Sequence, residues 1–106
     1  MSSSDNYSIT QFDLTQVYPN PFKRSVNIAF DVPTIGGVSQ HAIEIGVYDL
    51  KGCLVKQVAK GTYSSGHYEI AWNNSDTREA AAGSGVYIVR MKAANFDKRL
   101  KLVRVQ

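Results

Sequence analysis

Beyond residue 25 the chain sets apolar and polar side chains in alternation. Val26, Ile28, Phe30 and Val32 are separated by Asn27, Ala29 and Asp31, the period-two pattern of a strand that buries one face. Pro33 ends that run, and Ile35-Gly-Gly-Val-Ser39 supplies a flexible turn. Ile43, Ile45 and Val47 alternate next, followed by Asp49-Leu-Lys-Gly52, a turn in which glycine makes a positive φ cheap. Residues 53–59 then read as a short return strand, so that 43–59 forms a β-hairpin. Tyr68, Ile70 and Trp72 alternate with His67, Glu69 and Ala71. Residues 86–91 are rich in β-branched and aromatic side chains, and 100–105 closes the chain. With a first strand at 12–17 the pattern predicts about seven strands. Only 78–82, Arg-Glu-Ala-Ala-Ala, looks helical, and it is too short to hold as a helix, so a turn of helix inside a loop is expected. Short strands with frequent turns and no alternating helices predict an all-β fold, an antiparallel β-sandwich.

The length of 106 residues fits one domain. With 43% hydrophobic and 20% charged residues the composition is that of a folded chain and excludes general disorder. No apolar run approaches the ~18 residues of a membrane-spanning helix, so no integral membrane segment is expected. The Ser/Asp/Asn-rich start is read as a disordered lead-in over residues 1–10, lacking the basic and apolar regions of a signal peptide. Residues 11–106 are then one domain, a fragment of something longer. Cys53 stands alone, which excludes an internal disulfide and a CxxC site; it reads as a small packing residue.

The net charge of +3 matters less than its placement. Arg90, Lys92, Lys98, Arg99, Lys101 and Arg104 all lie near the end, opposed there by Asp97 alone. One reading is a terminal strand whose cations discourage edge-to-edge pairing. The other is a surface for an acidic partner or an anionic surface. Nucleic acid is not expected, because no aromatic RNA-binding motif, zinc finger or recognition helix accompanies the charge.

Candidate chemistry is sparse. His41 is placed in a turn and His67 at the opening of a strand, with no third ligand for zinc and no nucleophile elbow for a Ser-His-Asp triad. The oxygen-rich stretch from Asn73 offers Asn73, Ser75 and Thr77 where a calcium loop needs carboxylates; it reads as an Asx-rich turn. No metal, no cofactor and no catalytic residues are therefore expected. Trp72 and six tyrosines raise the possibility of a sugar-stacking platform, but Trp72 shares its strand face with Ile70, which places it in the core.

Tyr18-Pro-Asn-Pro-Phe22 is the most informative short segment. Pro19 and Pro21 fix φ and push Tyr18 and Asn20 into extended geometry, leaving Phe22 to plug one end of the core. Together with Val47-Tyr-Asp-Leu-Lys-Gly52, Ser65-Gly-His-Tyr-Glu-Ile-Ala-Trp-Asn73, Ala82-Gly-Ser-Gly-Val-Tyr-Ile-Val-Arg90 and Lys98-Arg-Leu-Lys-Leu-Val-Arg-Val105, it resembles the FlgD-like Ig-like domain and the related C-terminal sorting domain of type IX secretion cargo, over residues 12–105. Two departures stand out: Lys23-Arg-Ser25 follows the pentapeptide, and Trp72-Asn-Asn74 replaces the usual Trp-Asp-Gly turn.

The resemblance implies a seven-stranded antiparallel Ig-like β-sandwich at the C-terminus of a large exported protein, non-catalytic and destined for secretion or the cell surface. It implies recognition by the outer-membrane export machinery, with an upstream catalytic domain in the same parent chain. The carried-over signal is Lys98, Arg99, Leu100, Lys101 and Leu102. Adding Arg104, the cations would present charge while Leu100 and Leu102 hold the strand in its sheet. The supporting motif is Tyr18, Pro19, Asn20, Pro21, Phe22, Trp72, Gly85 and Tyr87. Two other readings share this fold: a carbohydrate-binding or accessory module of a polysaccharide-degrading enzyme, and a scaffold like that of flagellar hook capping. Solvent exposure of Trp72 separates the first of these from a sorting domain.

Overall fold

The computed structural model describes residues 9–73 and 83–105. The expected helical turn at 78–82, most of the oxygen-rich stretch after Asn73, and residues 1–8 of the expected lead-in lie outside the described residues. Within them the strands are β1 (Asp13–Tyr18), β2 (Val26–Val32), β3 (Gln40–Tyr48), β4 (Leu54–Ser64), β5 (Gly66–Trp72), β6 (Gly85–Ala93) and β7 (Phe96–Arg104). They form a three-stranded sheet, β1-β2-β5, and a four-stranded sheet, β4-β3-β6-β7, with every pairing antiparallel. The chain is an all-β, Ig-like sandwich: the period-two pattern predicts the antiparallel sandwich, and the resemblance its Ig-like form.

The core is made by the alternate residues of those strands. Val26, Ile28, Phe30 and Val32 from β2 face Ile43, Ile45 and Val47 from β3, with Val89 and Met91 of β6 and Leu102 of β7 completing the layer. Burial of such side chains, worth roughly 25 cal/mol per Å² of apolar area, is what holds two sheets face to face. Ala29 is also fully buried, although it belongs to the opposite face of β2. It lies between its register partners Gln16 and Glu69 in the middle strand of the sheet.

Three expectations need correcting. The return strand β4 runs from Leu54 to Ser64, well past residue 59, because it follows β3 along its whole length up to the Gln40–Ser64 pair. His41 therefore sits inside β3, its ring packed edge-on against Phe12 at 5.1 Å, and not in a turn. Cys53 is exposed and packs no core. It closes the hairpin turn: its N–H donates to Asp49 Oδ1 at 2.9 Å, its carbonyl accepts from the Asp49 N–H at 3.0 Å, and Gly52 holds φ at 90°.

Candidate functional site

The elements singled out by sequence converge on the outer edge of β7. After β1 the chain bends through Tyr18–Pro19 and Asn20–Pro21, both cis, and passes alongside the end of β7. There the Asn20 side chain acts as a strand's peptide group would. Its amide donates to the Lys101 carbonyl at 2.9 Å, and its Oδ1 accepts from the Val103 N–H at 2.9 Å. Phe22 continues the ladder with its backbone: its N–H donates to the Val103 carbonyl at 2.9 Å, and its carbonyl accepts from the Val105 N–H at 2.8 Å. Proline cannot donate a backbone hydrogen bond, so the asparagine between two prolines supplies both donor and acceptor. This arch covers the C-terminal part of an edge that would otherwise be open.

Beneath the arch lies an aromatic plug. Phe22 and Trp72 are almost fully buried, with ring centroids 5.7 Å apart, and Tyr87 packs edge-on against Trp72 at 6.1 Å. The Tyr87 hydroxyl donates to the Gly83 carbonyl, which satisfies its polar end inside the core rim. Gly85 opens β6 with φ at 142°, a conformation that an L side chain rarely adopts. Three sequence motifs, carrying Phe22, Trp72 and Tyr87, thus meet at one end of the sandwich. At 3% exposure Trp72 offers no stacking platform for a sugar.

The cations of β7 divide into two groups. Lys98 shares a face with Leu100 and Leu102, and its Nζ reaches Asp13 Oδ1 of β1 at 2.8 Å, tying one sheet to the other. Arg104 is half-buried, and its Nε donates to the Lys23 carbonyl at 3.1 Å, closing the arch from the other side. Leu102 is fully buried and Leu100 packs against the core. Arg99 and Lys101, on the alternate face, are exposed. Beside them Arg90 of β6 grips Asp97 with two hydrogen bonds, from Nε at 3.0 Å and from Nη2 at 2.5 Å, while Arg99 stands 4.0 Å from the same carboxylate. The Arg90 hydrogen bonds hold the Asp97 carboxyl below the usual carboxylate range, and Asp97 in turn raises the Arg90 guanidinium. A shallow cleft of about 290 Å³ opens near this pair, between Tyr48, the 49–52 turn and Ile88.

A second polar cluster occupies the outer face of the three-stranded sheet. His67 Nδ1 lies 2.6 Å from Asp31 Oδ1, its register partner on β2, and Nε2 lies 3.8 Å from Glu69. The hydrogen bond to Asp31 raises the His67 pKa, with smaller help from the two charges. The Tyr18 hydroxyl donates to Glu69, which raises the phenol. Among the described residues no cluster of three His, Cys, Asp or Glu side chains could hold a metal ion, and no helix is long and apolar enough to cross a membrane. Sequence reasoning missed Asp13, the partner of Lys98, and the strand-like role of Asn20. The first had a signal, since Lys98 alternates in phase with Leu100 and Leu102.

A family model for the secretion system C-terminal sorting domain matches residues 16–106. The chain belongs to that family. The sorting domain is a signal of type IX secretion, marking the protein that carries it for the cell surface or the extracellular space, and its family is normally non-catalytic. A sorting signal of this kind interacts with the secretion machinery. No curated protein matches the sequence. Among solved structures, this chain is similar in fold to the dimeric latent PorU from Porphyromonas gingivalis, with a TM-score of 0.69 at 18% identity. The similarity covers 98% of this chain and 10% of that one, so the sorting domain spans a small fraction of its structural neighbour's length.

Proposed function

We propose that the sorting domain is read by the outer-membrane translocon through β7, held in place by the Tyr18–Phe22 arch. On this reading residues 11–106 form one non-catalytic domain, preceded by a lead-in and by a catalytic domain of the same parent chain. Leu100, Leu102, Lys98 and Arg104 position the strand, and Arg99 and Lys101 meet the machinery. The observation that carries it is the division of β7. Two cations are spent on internal partners, and two on the alternate face stand exposed next to an edge that the arch leaves partly uncovered.

The test is a secreted reporter fused to the whole 106-residue chain in a type IX-competent host. Removing residues 98–106 is expected to abolish export. Arg99→Ala with Lys101→Ala, two exposed positions that leave the fold intact, is expected to lower it. Export that survives the deletion unchanged rejects β7 as the signal.

A further inference from the structure

The arch fixes which backbone groups of β7 face outward. In an antiparallel ladder successive residues turn their N–H and C=O groups alternately toward the partner strand and away from it. The outward bonds taken by the arch are the Lys101 carbonyl, the Val103 N–H and carbonyl, and the Val105 N–H. By the same alternation the N–H and carbonyl of Asp97, those of Arg99, and the N–H of Lys101 also point outward. No partner for these groups is found among the described residues. The uncovered stretch begins at the two-residue Ala94–Asn95 turn and ends where Asn20 takes over.

The charge beside this edge is one-sided. Arg90 is matched by Asp97, and Lys60 stands 3.9 Å from Glu44. That leaves Lys92, Arg99 and Lys101 in excess on the outer face of β6 and β7, all exposed. Resting on the reading of β7 as the recognised strand, we propose that its open half accepts an extended acidic segment of a partner protein as an added strand, with the segment's carboxylates beside Arg99 and Lys101. A strand added at this edge gains main-chain hydrogen bonds from Asp97, Arg99 and Lys101. Its outward side chains stand directly opposite Arg99 and Lys101, where opposite charges attract and like charges repel. A second copy of β7 would bring arginine and lysine against arginine and lysine. The cations that defend the edge against self-pairing therefore select an acidic strand.

The probe is a ten-residue peptide alternating glutamate and valine, added to the labelled 106-residue chain and followed by amide exchange and chemical-shift titration. Slowed exchange at Asp97, Arg99 and Lys101 is expected, with Val103 unchanged because its N–H is already held. Arg99→Glu combined with Lys101→Glu should weaken binding about tenfold, the sum of two cross-strand pairs changed from attraction to repulsion. A version of the peptide N-methylated at alternate residues, with the same charge and no ladder donors, should not bind. Equal binding by that version, or by a lysine–valine peptide, overturns the proposal. So does concentration-dependent protection of Arg99 without peptide, the mark of self-pairing. In the reporter assay, loss of export on deleting 98–106 together with normal export of the Arg99→Glu, Lys101→Glu variant overturns this inference and the assignment of Arg99 and Lys101 as the contacting cations, and leaves β7 itself as the signal. Normal export of both overturns the reading of β7 as well.

Discussion

The two halves of β7 belong to one continuous strand, yet they are held differently. From Lys101 to Val105 the strand is clasped on both edges, by β6 on one side and by the Asn20 side chain and Phe22 backbone on the other. From Asp97 to Arg99 its backbone is paired only with β6, its side chains held by the Arg90–Asp97 pair within the sheet and by the Lys98–Asp13 pair to the other sheet. A net hydrogen bond contributes roughly 0.5–1.5 kcal/mol, so the clasped half opens only with the loss of several of them and of the plug beneath. Local opening follows such differences. Within one strand, then, anchoring and presentation are separated: the end under the arch is fixed so that the end beyond it can stay open without fraying into the sheet.

Removing the plug should erase that difference. Phe22→Ala empties a site of 1% exposure packed against Trp72 and withdraws the ring that seats the arch. A loss of about 3–5 kcal/mol is expected from such a truncation, measured by urea denaturation, with Trp72 emission shifting to the red. Amide exchange should then be fast along the whole of β7. A loss below 1 kcal/mol would show that the arch is held by its hydrogen bonds and not by its aromatic anchor. Asn20→Ala tests the opposite weighting. It removes the two side-chain hydrogen bonds to β7 at an exposed position, where water replaces part of their worth, and about 1 kcal/mol should go. Exchange of the Val103 amide should quicken while that of Arg99 stays as it was.

These two residues also show what the sequence made legible. Phe22 could be placed in the core because it is a large apolar side chain fixed by two prolines, and Trp72 because its strand face already held Ile70. The strands β2, β3 and β6 were readable for the same reason: their buried faces are apolar at every second position. The far part of β4 was not, since beyond Ala59 it offers one core-packing side chain, Tyr63, among polar residues and a glycine, which shows no period, and its length is set by pairing with β3. Register shifts at Ile45/Gly46 and Val47/Tyr48 further break the period. His41 was misplaced because Ser39 and Gln40 read as loop, whereas β3 is extended at that end by Tyr63 and Ser64. The role of Asn20 had no local signal at all. It depends on a side chain meeting a strand more than eighty residues away, a contact created by the sandwich itself.

The tether at the open half is weaker. Lys98 and Asp13 are 38% and 43% exposed, so solvent screens their attraction, and a double-mutant cycle with Lys98→Met and Asp13→Asn should give a coupling of about 0.2–1 kcal/mol. Raising the salt concentration should shrink it further. Exchange at Leu100, whose N–H faces β6, should quicken in the single variants with Val103 unaffected, the reverse of the Asn20→Ala result.

The smallest effect lies outside β7 and serves to show that the contrast is local. The His67 pKa is raised in the folded chain, first by the hydrogen bond to Asp31, so the folded state favours the protonated ring. Its contribution is fully present below the unfolded value of about 6.5 and is lost as pH rises through the higher folded value. The side chain is 51% exposed, so the gain is screened and should fall below that of the Lys98 pair. A shallow decline in stability above about pH 6.5 is expected, and His67→Gln should flatten it. Asp97 behaves in the opposite sense: its lowered pKa makes its contribution available above the unfolded carboxyl value and removes it as pH falls through the folded one. Amide exchange across the neutral range, corrected for its intrinsic pH dependence, should therefore move in β2 and β5, where His67 and Asp31 pair, and leave both halves of β7 in place. Movement at Leu100 over that range would show that titration on the outer face of one sheet reaches the other through the shared core.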